Sequence, residues 1–85
     1  MTVENETTRK ISNEQLLIDI VNTEKERDAY EQLRAGYFTL SLLPENQESG
    51  ESRVHSLKSE HYQQLCFQCQ EFLNKLIALQ KERGI

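Results

Sequence analysis

The stretch that decides the fold runs from Tyr62 to Leu79 and is YQQLCFQCQEFLNKLIAL. Six of its residues stand 3, 4, 3, 4 and 3 positions apart: Tyr62, Leu65, Cys69, Phe72, Leu76 and Leu79. Alternating intervals of three and four place residues on one face of an α-helix that packs against another helix. Cys66 and Leu73 follow directly after two of the six and widen that face. We therefore predict a long helix and expect the rest of the chain to cover it.

Size and composition favour a small helical domain that gains stability from a partner. Of the 85 residues 36% are apolar, and Gly and Pro together number only four, which favours helix. A chain of this length buries about 60–65% of its unfolded surface and is marginally stable alone. No apolar run approaches the roughly 20 residues of a membrane span, and the N-terminal residues do not resemble a signal peptide. Two cysteines three residues apart indicate free thiols, so we expect a cytoplasmic protein with no membrane partner.

The first helix has a well-marked start and a well-marked end. Ser12 and Gln15 have the spacing of a capping box, and Ile11 can pack on Leu16. Pro44 disfavours helical geometry at the preceding residue and ends the helix. We predict a disordered tail over residues 1–10 and a helix over residues 12–43.

Within this helix two series of residues repeat every seven positions: Leu16, Thr23, Tyr30 and Tyr37, and then Asp19, Glu26, Leu33 and Leu40. Gly36 interrupts the second half. It could end the helix near residue 35 or lie inside one continuous helix. We favour the continuous helix, because Leu33, Tyr37 and Leu40 keep the same phase across the glycine.

The second helix is predicted to return antiparallel to the first. Residues 44–52 have the composition of a loop, Ser52 can cap a helix over residues 53–83, and Gly84 can end it. Two helices of similar length joined by a short loop form a hairpin, with residue i opposite roughly 96 − i. We predict one all-α domain over residues 11–85 with this hairpin core: Leu16, Ile20, Tyr30, Leu33, Tyr37, Leu40, Leu57 and Leu65.

This register leaves apolar surface without a neighbour. The most apolar part of the second helix faces the polar stretch Thr23–Arg27, so a lone hairpin would expose it to water. A second copy would complete a four-helix bundle, or a different protein would supply the missing layer. We predict this partner or dimer interface: Tyr62, Phe67, Cys69, Phe72, Leu73, Leu76, Ile77 and Leu79.

The sequence contains no pattern that predicts a redox, metal-binding or catalytic site. Cys66 and Cys69 form a C-x-x-C pair in mid-helix, whereas a redox pair needs an exposed thiol at a helix N-terminus. With His55 and His61 they offer four potential zinc ligands, but their spacing on one helix cannot close a tetrahedron. The chain has no phosphate-binding loop and no hydrolase or protease motif. We expect no catalysis, no cofactor, no metal and no small-molecule substrate.

The function that this pattern favours is protein binding by burial of a helix face. We expect a small adaptor or regulator that forms a homodimer or docks on a protein partner. One alternative is a small chaperone or co-chaperone for a helical client. Another is a nucleic-acid-associated regulator, which the net charge of −4 disfavours and which would use five bases of the second helix: Arg53, Lys58, Lys75, Lys81 and Arg83.

Overall fold

The computed structural model describes residues 11–85, and these residues form three helices. They are α1 (Asn13–Leu42), α2 (Pro44–Ser49) and α3 (Glu51–Arg83). α1 and α3 pack antiparallel along their length, which confirms the predicted all-α helical hairpin. The predicted tail, residues 1–10, lies outside the described residues.

The ends of both long helices follow from local chemistry. The Ser12 hydroxyl accepts a hydrogen bond from the Gln15 backbone N–H at 3.0 Å, which caps α1 as predicted. α1 passes through Gly36 without a break, which confirms the continuous helix. A Cβ at this position would meet nothing within 4 Å, so the glycine does not mark a close approach of two helices. Gly84 adopts a left-handed conformation with φ +71° and ends α3.

The connection between the long helices differs from the predicted loop over residues 44–52. Leu43 is extended, and Pro44 then begins the short helix α2, because the fixed φ of proline suits the first position of a helix. The Asn46 side chain donates to the Leu40 carbonyl at 2.7 Å and ties α2 to the end of α1. Gly50, with φ +83°, makes the turn into α3, so Ser52 lies inside that helix instead of capping it.

The apolar core lies at the open end of the hairpin, far from the turn. We call it the leucine core, and its members are Leu16, Ile20, Leu73, Leu76 and Leu79. Ile11 and Ile77 pack against it. Arg83 closes this end by donating to the Ile11 carbonyl at 2.6 Å. Burial of these side chains is the main apolar contribution to the stability of the described hairpin.

The half of the hairpin nearer the turn is joined by small polar side chains. Ser52, Ser59 and Cys66 lie seven residues apart on α3 and donate to backbone carbonyls of α1. Their acceptors are Ser41, Arg34 and Arg27, which also lie seven residues apart, at 2.6, 2.9 and 3.6 Å. We call these three contacts the polar ladder. Short side chains are required here because each of them contacts the backbone of the facing helix directly, which leaves no room for a longer one.

The polar ladder corrects part of the predicted core. Leu16 and Ile20 are buried as predicted, but Leu33, Leu40 and Leu57 are 42%, 38% and 52% exposed. Arg34 and Ser41 take the places expected for Leu33 and Leu40, each one residue later in the chain. The other predicted core residues are half-buried: Tyr30, Tyr37 and Leu65.

Candidate protein-binding face

A row of aromatic rings runs along one side of the contact between α1 and α3. The Tyr62 ring stacks on Tyr30 and on Tyr37, with centroids 6.0 and 5.7 Å apart. Tyr37 in turn stacks on His55 at 5.9 Å, and the Lys58 ammonium lies 5.2 Å from the Tyr37 centroid. Each of these contacts joins the two helices, so the row is an aromatic surface shared by α1 and α3.

The heptad spacing explains why the rings form a row. Tyr30 and Tyr37 are seven residues apart on α1, and His55 and Tyr62 are seven apart on α3. Four residues of the polar ladder follow one of these rings by four positions: Arg34, Ser41, Ser59 and Cys66. At about 100° per residue, this offset turns the side chain to the other side of the helix contact. The two helices therefore meet through a polar row on one side and an aromatic row on the other.

Apolar side chains flank the aromatic row on its outer edges. Leu33 and Leu40 each follow a tyrosine of α1 by three residues, and Leu65 follows Tyr62 in the same way. Phe72 follows Cys69 by three residues and is 51% exposed. We call this surface the tyrosine face, and it consists of Tyr30, Tyr37, Tyr62, Leu33, Leu40, Leu65 and Phe72. These residues place apolar and aromatic side chains on both helices, and surface of this type marks interaction sites.

A shallow groove of about 230 Å³ lies where the tyrosine face approaches the leucine core. Tyr30, Leu65, Cys69 and Phe72 line it together with Glu26. The Tyr30 hydroxyl donates to Glu26 at 3.3 Å. The negative charge of Glu26, followed by burial, raises the pKa of Tyr30, so the hydroxyl stays protonated at the edge of the groove. The groove combines an apolar floor with a polar rim, as protein interfaces do.

The structure divides the predicted interface residues into three groups. Leu73, Leu76 and Leu79 are at most 5% exposed and belong to the leucine core, so they cannot contact a partner while the hairpin is folded. Tyr62, Cys69 and Phe72 lie on or beside the tyrosine face. The remaining two lie elsewhere: Phe67 is exposed on the opposite side with Arg27 and Glu31, and Ile77 packs against the leucine core.

Sequence reasoning missed the buried polar residues Ser41 and Ser59. The sequence feature that could have revealed this row is the seven-residue repeat of Ser52, Ser59, Cys66 and Leu73. Cys66 and Leu73 each come one residue after a predicted contact, Leu65 or Phe72.

The buried Nδ1 atom of His55 has no hydrogen-bond partner among the described residues.

The two thiols are held in their neutral form. Burial, followed by the charge of Glu31, raises the pKa of the Cys66 thiol, whose sulfur lies 3.8 Å from Oε2 of Glu31. Burial, followed by the charge of Glu26, also raises the pKa of Cys69. A nucleophilic or redox-active cysteine needs a lowered pKa, so the environment acts in the opposite direction. Within residues 11–85, no three His, Cys, Asp or Glu side chains form a group that could hold a metal ion.

The cations of α3 form no continuous patch. Lys58 lies over the Tyr37 ring and Arg83 binds the Ile11 carbonyl and Asn13. Arg53 lines a wide depression of about 680 Å³ at the turn, whose other lining residues are mostly polar and include Glu60.

In the part of the chain that the structure describes, no helix combines the length and apolar character needed to cross a membrane.

Comparisons with protein-family models, with curated proteins and with solved structures find no match. The tyrosine face is therefore the feature of this chain from which a function can be inferred.

Proposed function

We propose that this chain is a protein–protein interaction module, an adaptor or regulator that acts by burying the tyrosine face and carries out no catalysis. The observation that supports this proposal is the distribution of apolar side chains. Among the described residues, five apolar side chains are buried in the core, whereas twelve large apolar side chains are exposed, and three of these twelve lie on the tyrosine face: Leu33, Leu40 and Phe72. Single exposed leucines are ordinary, but apolar and aromatic side chains that repeat along two packed helices are characteristic of a binding surface.

The tyrosine face fits helices of a protein partner. Its residues repeat every seven positions on both α1 and α3, and side chains repeated in this way interdigitate with a further pair of helices. The product would be a four-helix bundle with the aromatic row at its centre. Tyrosine side chains are frequent at the energetic centres of interfaces, because they bury a large area and lose little conformational freedom.

The environment of the thiols supports the absence of catalysis and a reducing compartment. Both cysteines are free, and both have raised pKa values, which disfavour the reactive thiolate. The groove beside them is shallow and open, whereas catalysis by electrostatic stabilisation needs a site that excludes water. We place the protein in the cytoplasm on the same argument.

The proposed function can be tested by placing a photo-crosslinking residue on the tyrosine face. p-Benzoylphenylalanine at Phe72 should form covalent adducts with one specific protein in cells, whether another protein or the chain itself. The matched control carries the same residue at Gln64, which is exposed on the outer side of α3. Equal labelling from both positions, or no adduct from position 72, would overturn the proposal.

A further inference from the structure

We infer that the occupant of the tyrosine face is a second copy of this chain, with α1 of each copy lying over α3 of the other. This inference rests on the proposed function and names its partner. It differs from the sequence-based interface, because the buried Leu73, Leu76 and Leu79 take no part in it.

The area of the tyrosine face meets the requirement of a stable dimer. The hairpin is 54 Å long, 22 Å wide and 16 Å thick. The 18 residues from His55 to Phe72 are separated by 17 helical steps, which correspond to about 26 Å of helix. Multiplied by the width of the hairpin, this gives roughly 570 Å² per copy even before side-chain relief is included. Two copies therefore bury more than the roughly 1,000 Å² that separates specific interfaces from incidental contacts.

The charges of the two helices select the arrangement. α1 carries six acidic and three basic residues, whereas α3 carries four acidic and five basic residues. A dimer with α1 over α1 would place two net-negative helices together. A dimer with α1 over α3 pairs helices of opposite net charge at both contacts. The flanks of the tyrosine face follow the same rule, with Asp19 and Glu26 on α1 and Lys58 and Lys75 on α3.

A two-fold axis parallel to the helices produces this arrangement and fixes which residues meet. Such an axis leaves every residue at its own height along the bundle. Each pair of residues in the polar ladder has numbers that sum to 93, so Asp19 lies at the height of Asn74 and beside that of Lys75. Asp19 of one copy would then lie beside the partner's Lys75, and the symmetry produces this pair twice. Flanking positions of this kind commonly form ion pairs between the helices of a bundle.

The oligomeric state of the purified full chain tests the inference first. Sedimentation equilibrium in reductant, over a range of concentrations, should show a monomer–dimer equilibrium. Phe72→Ala should weaken dimerisation about tenfold or more, because it removes an aromatic anchor from each copy. Phe67→Ala is the matched control and should leave the dimer unchanged, since Phe67 lies on the opposite side of the hairpin. A chain that stays monomeric at every concentration overturns the inference.

The arrangement of the two copies is tested by complementary charge reversals. Asp19→Lys and Lys75→Glu should each weaken the homodimer about tenfold, since each opposes like charges twice. An equimolar mixture of the two variants should form a heterodimer at wild-type strength, because both pairs between the copies are then restored. Charges at positions 19 and 75 within each chain stay mismatched in the mixture, so rescue cannot arise inside one hairpin.

The control for charge reversal itself is Lys25→Glu, at an exposed position on α1, which should leave dimerisation unchanged. A mixture that dimerises no better than the single variants would overturn the arrangement. Failure of the dimer can also be distinguished from failure of the proposed function. A monomeric chain whose position 72 crosslinks to another protein retains the function and loses the second copy as its partner.

Discussion

Cys66 shows how a single side chain is tuned by the packing of the two helices. Its sulfur donates to the Arg27 carbonyl and also faces the carboxylate of Glu31, which Arg34 holds in place through hydrogen bonds from its guanidinium group. The bond from Arg34 lowers the pKa of Glu31, so this carboxylate is charged at neutral pH. Cys66 therefore stays protonated because it is partly buried beside a fixed negative charge.

We predict that Glu31→Gln will lower the pKa of Cys66 toward its ordinary value of 9.0 without reaching it, because burial remains the larger cause of the shift. Alkylation of Cys66 by iodoacetamide, measured for each cysteine by peptide mass spectrometry across pH, should become faster at pH values below the wild-type pKa. Alkylation of Cys69 should not change. Glu60→Gln is the control, and an unchanged Cys66 profile in Glu31→Gln would contradict the assignment.

The same shift has a defined effect on stability. A thiol whose pKa is higher in the folded state than in the unfolded state stabilises the fold below the unfolded pKa. For Cys66 this contribution is present below about pH 9 and is lost as the pH rises through the folded pKa. Alkaline conditions should therefore destabilise the hairpin by ionising its thiols.

Each long helix contacts the other through two rows of residues, and the position of the second row differs from the prediction. One row on each helix was predictable from spacing alone, namely Leu16, Thr23, Tyr30 and Tyr37 on α1 and Tyr62, Cys69 and Leu76 on α3. The second row lies one residue later than predicted on both helices. The prediction chose Leu33 and Leu40 because they are apolar, but the helices meet at Arg34 and Ser41. Backbone carbonyls accept the cross-helix hydrogen bonds there, and a pattern of side chains does not reveal them.

We predict that Ser59→Leu will reduce the free energy of unfolding by about 1–3 kcal/mol, because a large side chain would push apart helices that are in contact there. Ser59 is buried and its hydroxyl is 2.9 Å from the Arg34 carbonyl. Ser59→Ala should cost about 1 kcal/mol through the lost hydrogen bond alone. Urea unfolding followed by circular dichroism measures both. Gln63→Leu, at an exposed position of α3, is the control, and wild-type stability in Ser59→Leu would exclude a close contact at this position.

For the whole molecule, the sequence was sufficient to predict an antiparallel hairpin of two long helices and nearly its register. The capping residues and Pro44 set the ends of α1, and the heptad spacing set one of the rows that pack. The short connection set the antiparallel direction of the helices. Which apolar residues are internal was not predictable from one helix at a time. Leu73, Leu76 and Leu79 form the core because α1 presents Leu16 and Ile20 at the same height, while Leu65 and Phe72 have no such neighbours.

We predict that Leu76→Ala will unfold much of the protein whereas Phe72→Ala will leave its helix content unchanged. Leu76 is 2% exposed in a core of five apolar side chains, and its loss should cost about 2–5 kcal/mol. A domain of this size has only a few kcal/mol of stability in total. Circular dichroism of both variants at a single low concentration provides the measurement. Equal helix content in the two variants would show that the leucine core does not hold the hairpin together.

The polar ladder also has a consequence for the order in which the chain can fold. The residues joined by its three contacts are 11, 25 and 39 positions apart, and Arg83 and Ile11 at the open end are 72 apart. Contacts near the turn close short loops but are individually weak, whereas the leucine core is strong and requires the longest loop to close. We therefore expect the turn half to align first, because its loops cost less entropy to close, and the leucine core to close afterwards. With the weakest contacts placed where loop closure is easiest, we expect neither half to be stable alone and the hairpin to fold and unfold as one cooperative unit.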